Sequence, residues 1–160
     1  MYLTERVPAW SGGQLSRMVS TPKRYLVEPA LMGPLLNIDE RSVLRNADLL
    51  GRLVESFVAS QLRPELSVAA GNPRLFHVRD AQGRHEVDLL VELAGGSVIA
   101  FEVKATSRPD PSMARHLVWL RDRLGEQFIA GIVLHCGPTT VRFGDRIAAA
   151  PIASLWSRRN

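Results

Sequence analysis

The stretch RHEVDLLVELAGGSVIAFEVK, residues 84–104, decides the fold of this chain. On either side of its AGG triplet, apolar and polar residues alternate, which is typical of two half-buried β-strands. Ala94, Gly95 and Gly96 are small, and the two glycines accept the positive φ angles that tight turns require. The stretch therefore predicts an antiparallel β-hairpin.

The apolar pattern also predicts the register of this hairpin. A slip by one residue would turn a whole apolar set to the opposite face of the sheet, so apolar residues should face apolar residues across the strands. The simplest register that meets this condition pairs Leu89 with Phe101, Val91 with Ile99 and Val87 with Val103.

The same register brings charged residues together on the polar positions. Glu86 then faces Lys104, which is a favourable pair, whereas Asp88 faces Glu102. Like charges directly opposed across strands are destabilising, so something should compensate them. A divalent cation would do so, because Mg²⁺ binds one or two carboxylates together with water and phosphate oxygens. A raised pKa on one acid is the other solution, and an ordinary solvated strand face is the alternative to both.

Lysine is scarce in this chain, which contains 18 Arg but only two Lys, Lys23 and Lys104. Since Arg is used wherever a cation alone is enough, Lys104 is predicted to be Lys for a chemical reason. A compact ammonium on a flexible stem can orient a water molecule or stabilise a phosphorus oxyanion at close range.

The remaining patterns predict the other elements of the fold. Residues 75–78 read as a strand that precedes the hairpin, and the segment from Ser112 to about Leu124 reads as a helix stopped by Gly125. A nearly continuous apolar run suggests a strand buried on both faces. The further predictions are a helix at about 47–62, a turn-rich connection at 63–73, the buried strand at 128–135, and edge elements at 139–143 and 146–150.

Four segments carry a family resemblance: GRLVE at 51–55, FHVRD at 76–80, EVD at 86–88 and EVK at 102–104. Together they resemble the PD-(D/E)XK nuclease superfamily. More narrowly, they are similar to the domain of unknown function that follows the ATPase core in many prokaryotic AAA-type ATPases. The chain departs from the pattern at Glu28, where Asp is usual, and at Val87, which replaces the Pro of the superfamily name. The resemblance implies an α/β, restriction-endonuclease-like core, in which a mixed central β-sheet is flanked by α-helices.

The resemblance also implies roles for individual residues. Asp88 and Glu102 would be ligands of Mg²⁺ or Mn²⁺, and Lys104 would position the nucleophilic water, which makes these three the candidate catalytic residues. Glu55 matches an additional acidic residue that some members place near the metal. The alternative for Glu55 is a solvated position on its helix.

Basic residues flank the acidic strands. The net charge of +4 and the Arg residues at 79, 84 and 108 favour an anionic partner. Contacts from Arg79, Arg84 and Arg108 to phosphates would position a nucleic-acid backbone without reading its sequence. The alternative is that such Arg residues form surface pairs with acidic neighbours such as Asp80.

Length and composition define the domain organisation. At 160 residues and 46% apolar content, the chain is long enough for one domain with a core. The resemblance divides it into an N-terminal arm at 1–40, which is a linker from the ATPase core in relatives, and a nuclease-like domain at 41–160. Nothing matches G-x-x-x-x-G-K-[ST], so no ATP site is expected, and the chain is predicted to be a fragment, a truncated product or a stand-alone relative. No apolar leader or membrane-length window occurs, so a cytoplasmic location without a membrane partner is expected.

Two functions follow from these observations. The first is metal-dependent hydrolysis of a nucleic-acid phosphodiester, with DNA as the expected substrate. The second is a catalytically idle nuclease-fold module that binds nucleic acid or protein and works with an ATPase. Fold alone does not decide between them.

Overall fold

The computed structural model describes residues 3–12, 21–80 and 82–156. Within them lie a six-stranded mixed sheet and a separate two-stranded sheet. The strands are β1 Thr4–Val7, β2 Lys23–Leu26, β3 Arg74–Arg79, β4 Glu86–Glu92, β5 Val98–Lys104, β6 Phe128–His135, β7 Val141–Gly144 and β8 Ile147–Pro151.

Helices cover both faces of the larger sheet. The α-helices are α1 Met32–Leu36, α2 Glu40–Arg45, α3 Ala47–Val68 and α4 Arg115–Leu124. Short 3₁₀ turns occupy Pro29–Leu31, Ala94–Gly96, Pro111–Ala114, Gly125–Gln127 and Ile152–Leu155. The predicted α/β class, with a mixed central sheet flanked by helices, is confirmed. None of the helices in the described ranges is both long and apolar enough to cross a membrane.

The order of strands across the larger sheet is β3-β4-β5-β6-β8-β7. The first three strands pair antiparallel, β5 pairs parallel with β6 across the connection that contains α4, and β6 pairs parallel with β8. The prediction of two edge elements is correct for β7 and wrong for β8. Parallel pairing with β6 places β8 inside the sheet and buries Ile147 and Ala149.

The hairpin register is confirmed over most of its length and wrong at its open end. Leu89 pairs with Phe101 and Val91 with Ile99, as predicted, but the β4–β5 ladder stops at Leu89. An extra residue in β4 disrupts its pairing with β3, since Phe76 pairs with Leu90 while Val78 pairs with Val87. Such a bulge turns the residues beyond it to the other face.

The bulge therefore overturns two predicted pairs. Val87 packs with Leu90 on the α4 face of the sheet, whereas Val103 packs with Leu89 on the α3 face. Glu86 does not pair with Lys104; its carboxylate contacts Lys23 instead. The expected backbone pairing of Asp88 with Glu102 is also outside the ladder.

Two apolar clusters hold the layers together. Val58 and Leu62 of α3 cover one face, and Leu117 and Leu120 of α4 cover the other. Helix α3 continues to Val68 through Pro64, although a turn-rich connection was predicted there. Packing explains the difference, because Leu62 and Leu66 both lie against the cluster of the α3 face, and tertiary packing outweighs intrinsic propensity.

The N-terminal residues are joined to the same sheet. The two-stranded β1–β2 sheet buries Val7 and Tyr25 in the α3-side cluster, and Trp10 lies in the α4-side cluster. The backbone N–H of Trp10 donates to the carbonyl of His77 at 2.8 Å. These contacts place β2 beside the acidic end of the β4–β5 hairpin. The division of the chain at residues 40 and 41 stays a prediction.

Gly137, which follows β6, offers a test of how closely the segments beyond β5 and β6 pack. A Cβ added there would collide with the carbonyl oxygen of Ser107, which is backbone and cannot move aside cheaply. We expect Gly137→Ala to lower the free energy of unfolding by about 1–3 kcal/mol, measured by urea denaturation. Gly51→Ala is the matched control, because its Cβ would meet nothing within 4 Å and lies within α3. The control should gain about 0.5–1 kcal/mol, and equal effects in the two variants would contradict the packing described.

Candidate metal centre and its cleft

Asp88 lies where the β4–β5 ladder ends, and its side chain takes over the role of the missing backbone partner. Its Oδ2 accepts the N–H of Val103 at 2.9 Å. Its Oδ1 lies 3.4 Å from the Nζ of Lys23, and its carbonyl oxygen accepts the hydroxyl of Tyr25 at 3.4 Å. Beside the bulge that overturned the predicted register, two contacts therefore hold the Asp88 carboxylate and a third holds its backbone carbonyl.

Glu102 is a buried carboxylate with one satisfied oxygen and one orphaned oxygen. Its side chain is only 2% exposed, and its Oε2 accepts a hydrogen bond from Lys104 Nζ at 2.6 Å. Its Oε1 is buried and finds no hydrogen-bond partner among the described residues. An unsatisfied buried acceptor of this kind is costly, and a cation or an ordered water would satisfy it.

Burial and mutual repulsion perturb both acids. Burial raises the pKa of Glu102 to about 8, and the negative charge of Asp88 adds to the effect. The pKa of Asp88 is also raised, first by burial and then by the charge of Glu55. The raised pKa is one of the two compensations that the sequence left open. The other, a divalent cation, stays a prediction.

The Glu102 shift predicts a pH dependence of stability in the metal-free protein. Since its pKa is about 8 when folded against an ordinary value of 4.5, the folded state binds more protons than the unfolded state between these values. The free energy of unfolding should therefore fall as pH rises from about 5 to about 8, by at most about 1.4 kcal/mol per pH unit for one group. Urea denaturation in EDTA measures the slope. Glu102→Gln should reduce the slope to the part that the raised pKa of Asp88 contributes, and an unchanged slope in that variant would contradict the assignment.

Lys104 lies at the rim of the same site, 35% exposed. Burial acts to lower its pKa, but the neighbouring Glu102 and Asp88 carboxylates outweigh that effect and raise it. The side chain is therefore an ammonium at neutral pH. It can orient a water or stabilise a phosphorus oxyanion, but it cannot take a proton.

Glu55 reaches the site from α3. Its Oε1 accepts hydrogen bonds from the Tyr25 hydroxyl at 2.6 Å and from Lys23 Nζ at 2.9 Å. The structure thus brings Glu55 to the same cleft as Asp88 and Lys104. Glu55 is therefore not a fully solvated helix residue, because only 20% of its side chain is exposed.

Lys23 is the site residue that sequence reasoning missed. Its ammonium lies 2.7 Å from Glu86, 2.9 Å from Glu55 and 3.4 Å from Asp88. Burial opposes its protonation, but the carboxylates of Asp88 and Glu55 raise its pKa well above the ordinary value. The signal was present in the composition, because the argument from lysine scarcity applies to Lys23 as well as to Lys104.

Two clefts meet at Glu55. A cleft of about 420 Å³ is lined by Glu55, Asp88 and Lys104, and a second of about 570 Å³ lies on the β2 side. The first is lined by residues that include Gly51, Glu55, Asp88, Lys104 and Thr106. The second is lined by residues that include Lys23, Arg24, Arg52, Arg79 and Glu86. Asp48, Arg52 and Glu55 line both, so the two clefts adjoin along α3, and we refer to them together as the groove.

The three predicted backbone-contacting Arg residues occupy different environments. Arg79 lines the second cleft and lies 3.8 Å from Glu86. Arg84 pairs with Asp80 at 3.7 Å, the surface pairing that was the alternative. For Arg108, the contact described is from its backbone N–H to the Thr106 hydroxyl. Arg79 is the one that this arrangement brings to the groove.

The donor set suits a cation that takes few protein ligands. Within the described ranges, no three His, Cys, Asp or Glu side chains come together as a group that could hold a metal ion. Mg²⁺ does not need such a group, because it commonly binds one or two carboxylates and keeps several waters. Asp88 and the orphaned Oε1 of Glu102 fit that requirement.

Sequence comparison places this architecture in a family. The family model described as a domain of unknown function, DUF4143, matches residues 50–155, and the chain belongs to this family. The chain is 31% identical over 150 residues to the uncharacterized protein Mb2031c of Mycobacterium bovis and to the uncharacterized protein Rv2008c of Mycobacterium tuberculosis. These matches cover 93% of this chain and 32% of each relative. The chain thus spans about a third of the length of the curated relatives that it matches.

Proposed function

We propose that this domain hydrolyses phosphodiester bonds of nucleic acid, with DNA as the substrate, in a reaction that depends on Mg²⁺ or Mn²⁺. The observation that carries the proposal is the buried, unpartnered Oε1 of Glu102 beside Asp88. A divalent cation bound there would give this oxygen the partner that the described residues do not supply.

Asp88 and Glu102 would hold the cation. When bound, it would polarise the phosphate and lower the pKa of a coordinated water. Lys104 is held by Glu102 Oε2 at 2.6 Å and remains charged, so its ammonium is placed to orient that water or to stabilise the developing oxyanion. One carboxylate, Glu102, would thereby fix the ammonium with one oxygen and the cation with the other.

The groove along α3 supports a polymeric anion as substrate. Arg24, Arg52 and Arg79 line its β2 side, where guanidinium groups can contact successive phosphates. On the other side, Gly51 leaves the wall beside Asp88 and Lys104 open, because a side chain there would meet nothing within 4 Å. A nucleic-acid backbone could approach the acids along this wall.

A second candidate function is the catalytically idle module that works with an ATPase. One observation favours it: the ammonium of Lys23 already contacts Asp88, Glu55 and Glu86, so part of the acidic charge is compensated without a metal. The extra length of the mycobacterial relatives leaves room for a partner domain in those proteins. The resemblance to domains that follow an AAA-type ATPase core supports an ATPase as that partner.

A cleavage assay separates the two functions. The purified chain is incubated with single- and double-stranded DNA and RNA in Mg²⁺, in Mn²⁺ or in EDTA. We expect cleavage of DNA in the two metals and none in EDTA. Absence of cleavage with every substrate would contradict the hydrolytic function. In that case, binding that is unchanged in Asp88→Asn would support the idle module.

A further inference from the structure

We infer that Arg6 and Arg24 form a phosphate clamp, which binds one backbone phosphate of a nucleic acid on the outer face of the β1–β2 sheet. The clamp lies outside the metal centre. The inference rests on the proposed function for the identity of the polymer, but not for its cleavage.

The two arginines face each other across the β1–β2 sheet. The antiparallel register pairs Arg6 of β1 directly with Arg24 of β2. Directly opposed residues point to the same face, with Cβ atoms about 4.5–5.5 Å apart, and like charges in this position are destabilising. A sheet of only two strands is marginally stable by itself. An anion bound between the two guanidinium groups would remove the repulsion.

The pair lies on the solvent side of this sheet. Side chains alternate between the two faces along a strand. Val7 and Tyr25, which are the neighbours of Arg6 and Arg24 along the two strands, are buried in the α3-side cluster. Arg6 and Arg24 therefore point away from that cluster, and both are exposed.

Protein carboxylates do not neutralise the pair. Neither Arg6 nor Arg24 pairs with an acid among the described residues, and the acids nearest in sequence are engaged elsewhere. Glu5 pairs with Arg63 of α3, and Glu28 caps the 3₁₀ turn that follows it. The segments that the structure does not describe contain no Asp or Glu. The compensating anion must therefore come from a ligand.

The clamp continues the basic wall of the groove. Arg24 lines the second cleft together with Arg79, and the residue before it, Lys23, lies 3.4 Å from Asp88. A phosphate bound by Arg6 and Arg24 would thus belong to a nucleotide close to the metal centre but not at it. Two guanidinium groups can donate to the two free oxygens of one phosphodiester, and such a contact positions a strand without reading its sequence.

Binding to uncleaved DNA tests the clamp. The affinity for single- and double-stranded oligonucleotides is measured by fluorescence anisotropy in EDTA over a range of salt concentrations. Arg142→Met is the matched control, because Arg142 is also exposed on an outer strand but faces Ala148 instead of a second Arg. We expect Arg6→Met and Arg24→Met each to bind about 10-fold more weakly than the control. Affinities equal to that of the control would overturn the inference.

The salt dependence counts the phosphates that the clamp contacts. Arg6→Met/Arg24→Met should lower the slope of log K against log salt by about 1, which corresponds to one phosphate. An unchanged slope would overturn the inference.

The stability of the free protein should change in the opposite direction. Arg6→Met removes the repulsion between the two guanidinium groups, so the midpoint of urea denaturation at low salt should rise, whereas Arg142→Met should leave it unchanged. A merely structural role for Arg6 would lower the midpoint instead, and that result would overturn the inference.

Oligonucleotides with one neutral methylphosphonate locate the bound phosphate. Substitution at one position should weaken binding by the wild type and have no effect on Arg6→Met or Arg24→Met, because both arginines contact that phosphate. Two different positions for the two variants would overturn the clamp.

Cleavage is measured separately in Mg²⁺ and Mn²⁺. Weaker binding by the clamp variants without cleavage by the wild type would leave the clamp standing and remove the hydrolytic function. Cleavage by the wild type with clamp variants that bind as the control does would have the reverse meaning. A wild type that binds anionic lipid vesicles but no nucleic acid would overturn the inference.

Discussion

Asp88→Asn should abolish metal-dependent cleavage, with a fall in kcat/KM of at least about 10³-fold, comparable to the loss of a principal electrostatic stabiliser. The substitution preserves shape and leaves an amide oxygen to accept the Val103 N–H. It removes the charge that a cation requires. Loss of an outer-shell partner typically lowers metal affinity by about 10–100-fold. Because Asp88 would be a direct ligand, its replacement should lower Mn²⁺ affinity by more than that. Single-turnover cleavage and calorimetry measure the two effects.

The fold of Asp88→Asn should survive, which distinguishes a functional loss from an unfolded protein. Burial and the charge of Glu55 raise the pKa of Asp88, so a neutral side chain there relieves repulsion. Asp122→Asn is the matched control, because Asp122 is exposed and pairs with Arg121. Cleavage by Asp88→Asn within about ten-fold of the control, which is about 1.4 kcal/mol of barrier, would contradict the role of Asp88.

Lys104→Met should lower kcat by about 10²–10³-fold while Mn²⁺ binding is retained. The variant keeps the apolar stem and removes only the ammonium that contacts Glu102 at 2.6 Å. Loss of that contact frees Glu102 Oε2 and leaves both acids in place. Turnover and metal binding should therefore separate, unlike in Asp88→Asn, where both are lost. Rates under saturating substrate and calorimetric Mn²⁺ titration measure the separation.

Two further variants define what Lys104 contributes. Lys104→Arg should not restore the rate, because the planar guanidinium cannot take the place of a compact ammonium close to a phosphorus centre. Arg108→Met is the control for the loss of one positive charge nearby, and it should retain turnover. Equal loss of turnover in Arg108→Met and Lys104→Met would show that net charge, and not the position of the ammonium, sets the rate.

The local patterns predicted the hairpin well but not its open end. Leu89 opposite Phe101 and Val91 opposite Ile99 follow from burial of both faces, which strongly constrains register. The bulge beyond Leu89 could not be read from the sequence, because Val87 is apolar and packs equally well on either face of a sheet that is covered on both sides. Beyond the end of this ladder, the Asp88 carboxylate accepts the backbone N–H of Val103, so the irregularity places the acid in the candidate site.

Long-range packing explains the other differences. The predicted acids Asp88 and Glu102 were found because they lie on adjacent strands of one hairpin, a local relationship. Lys23 is separated from Asp88 by 65 positions and reaches it only because β1 and β2 pack on the α3 face. Periodicity carries no information on such an approach. The scarcity of lysine in the composition singles out Lys23 as a residue of interest, but it does not show which residues lie beside it.

The metal centre proposed at Asp88 and Glu102 is tested most directly by anomalous X-ray scattering from crystals of the wild type soaked in Mn²⁺. We predict an anomalous peak coordinated by the carboxylate of Asp88 and by Oε1 of Glu102, the buried oxygen that has no other partner among the described residues. A saturating soak that leaves these two carboxylates without an anomalous peak, or that places Mn²⁺ only elsewhere, would contradict it.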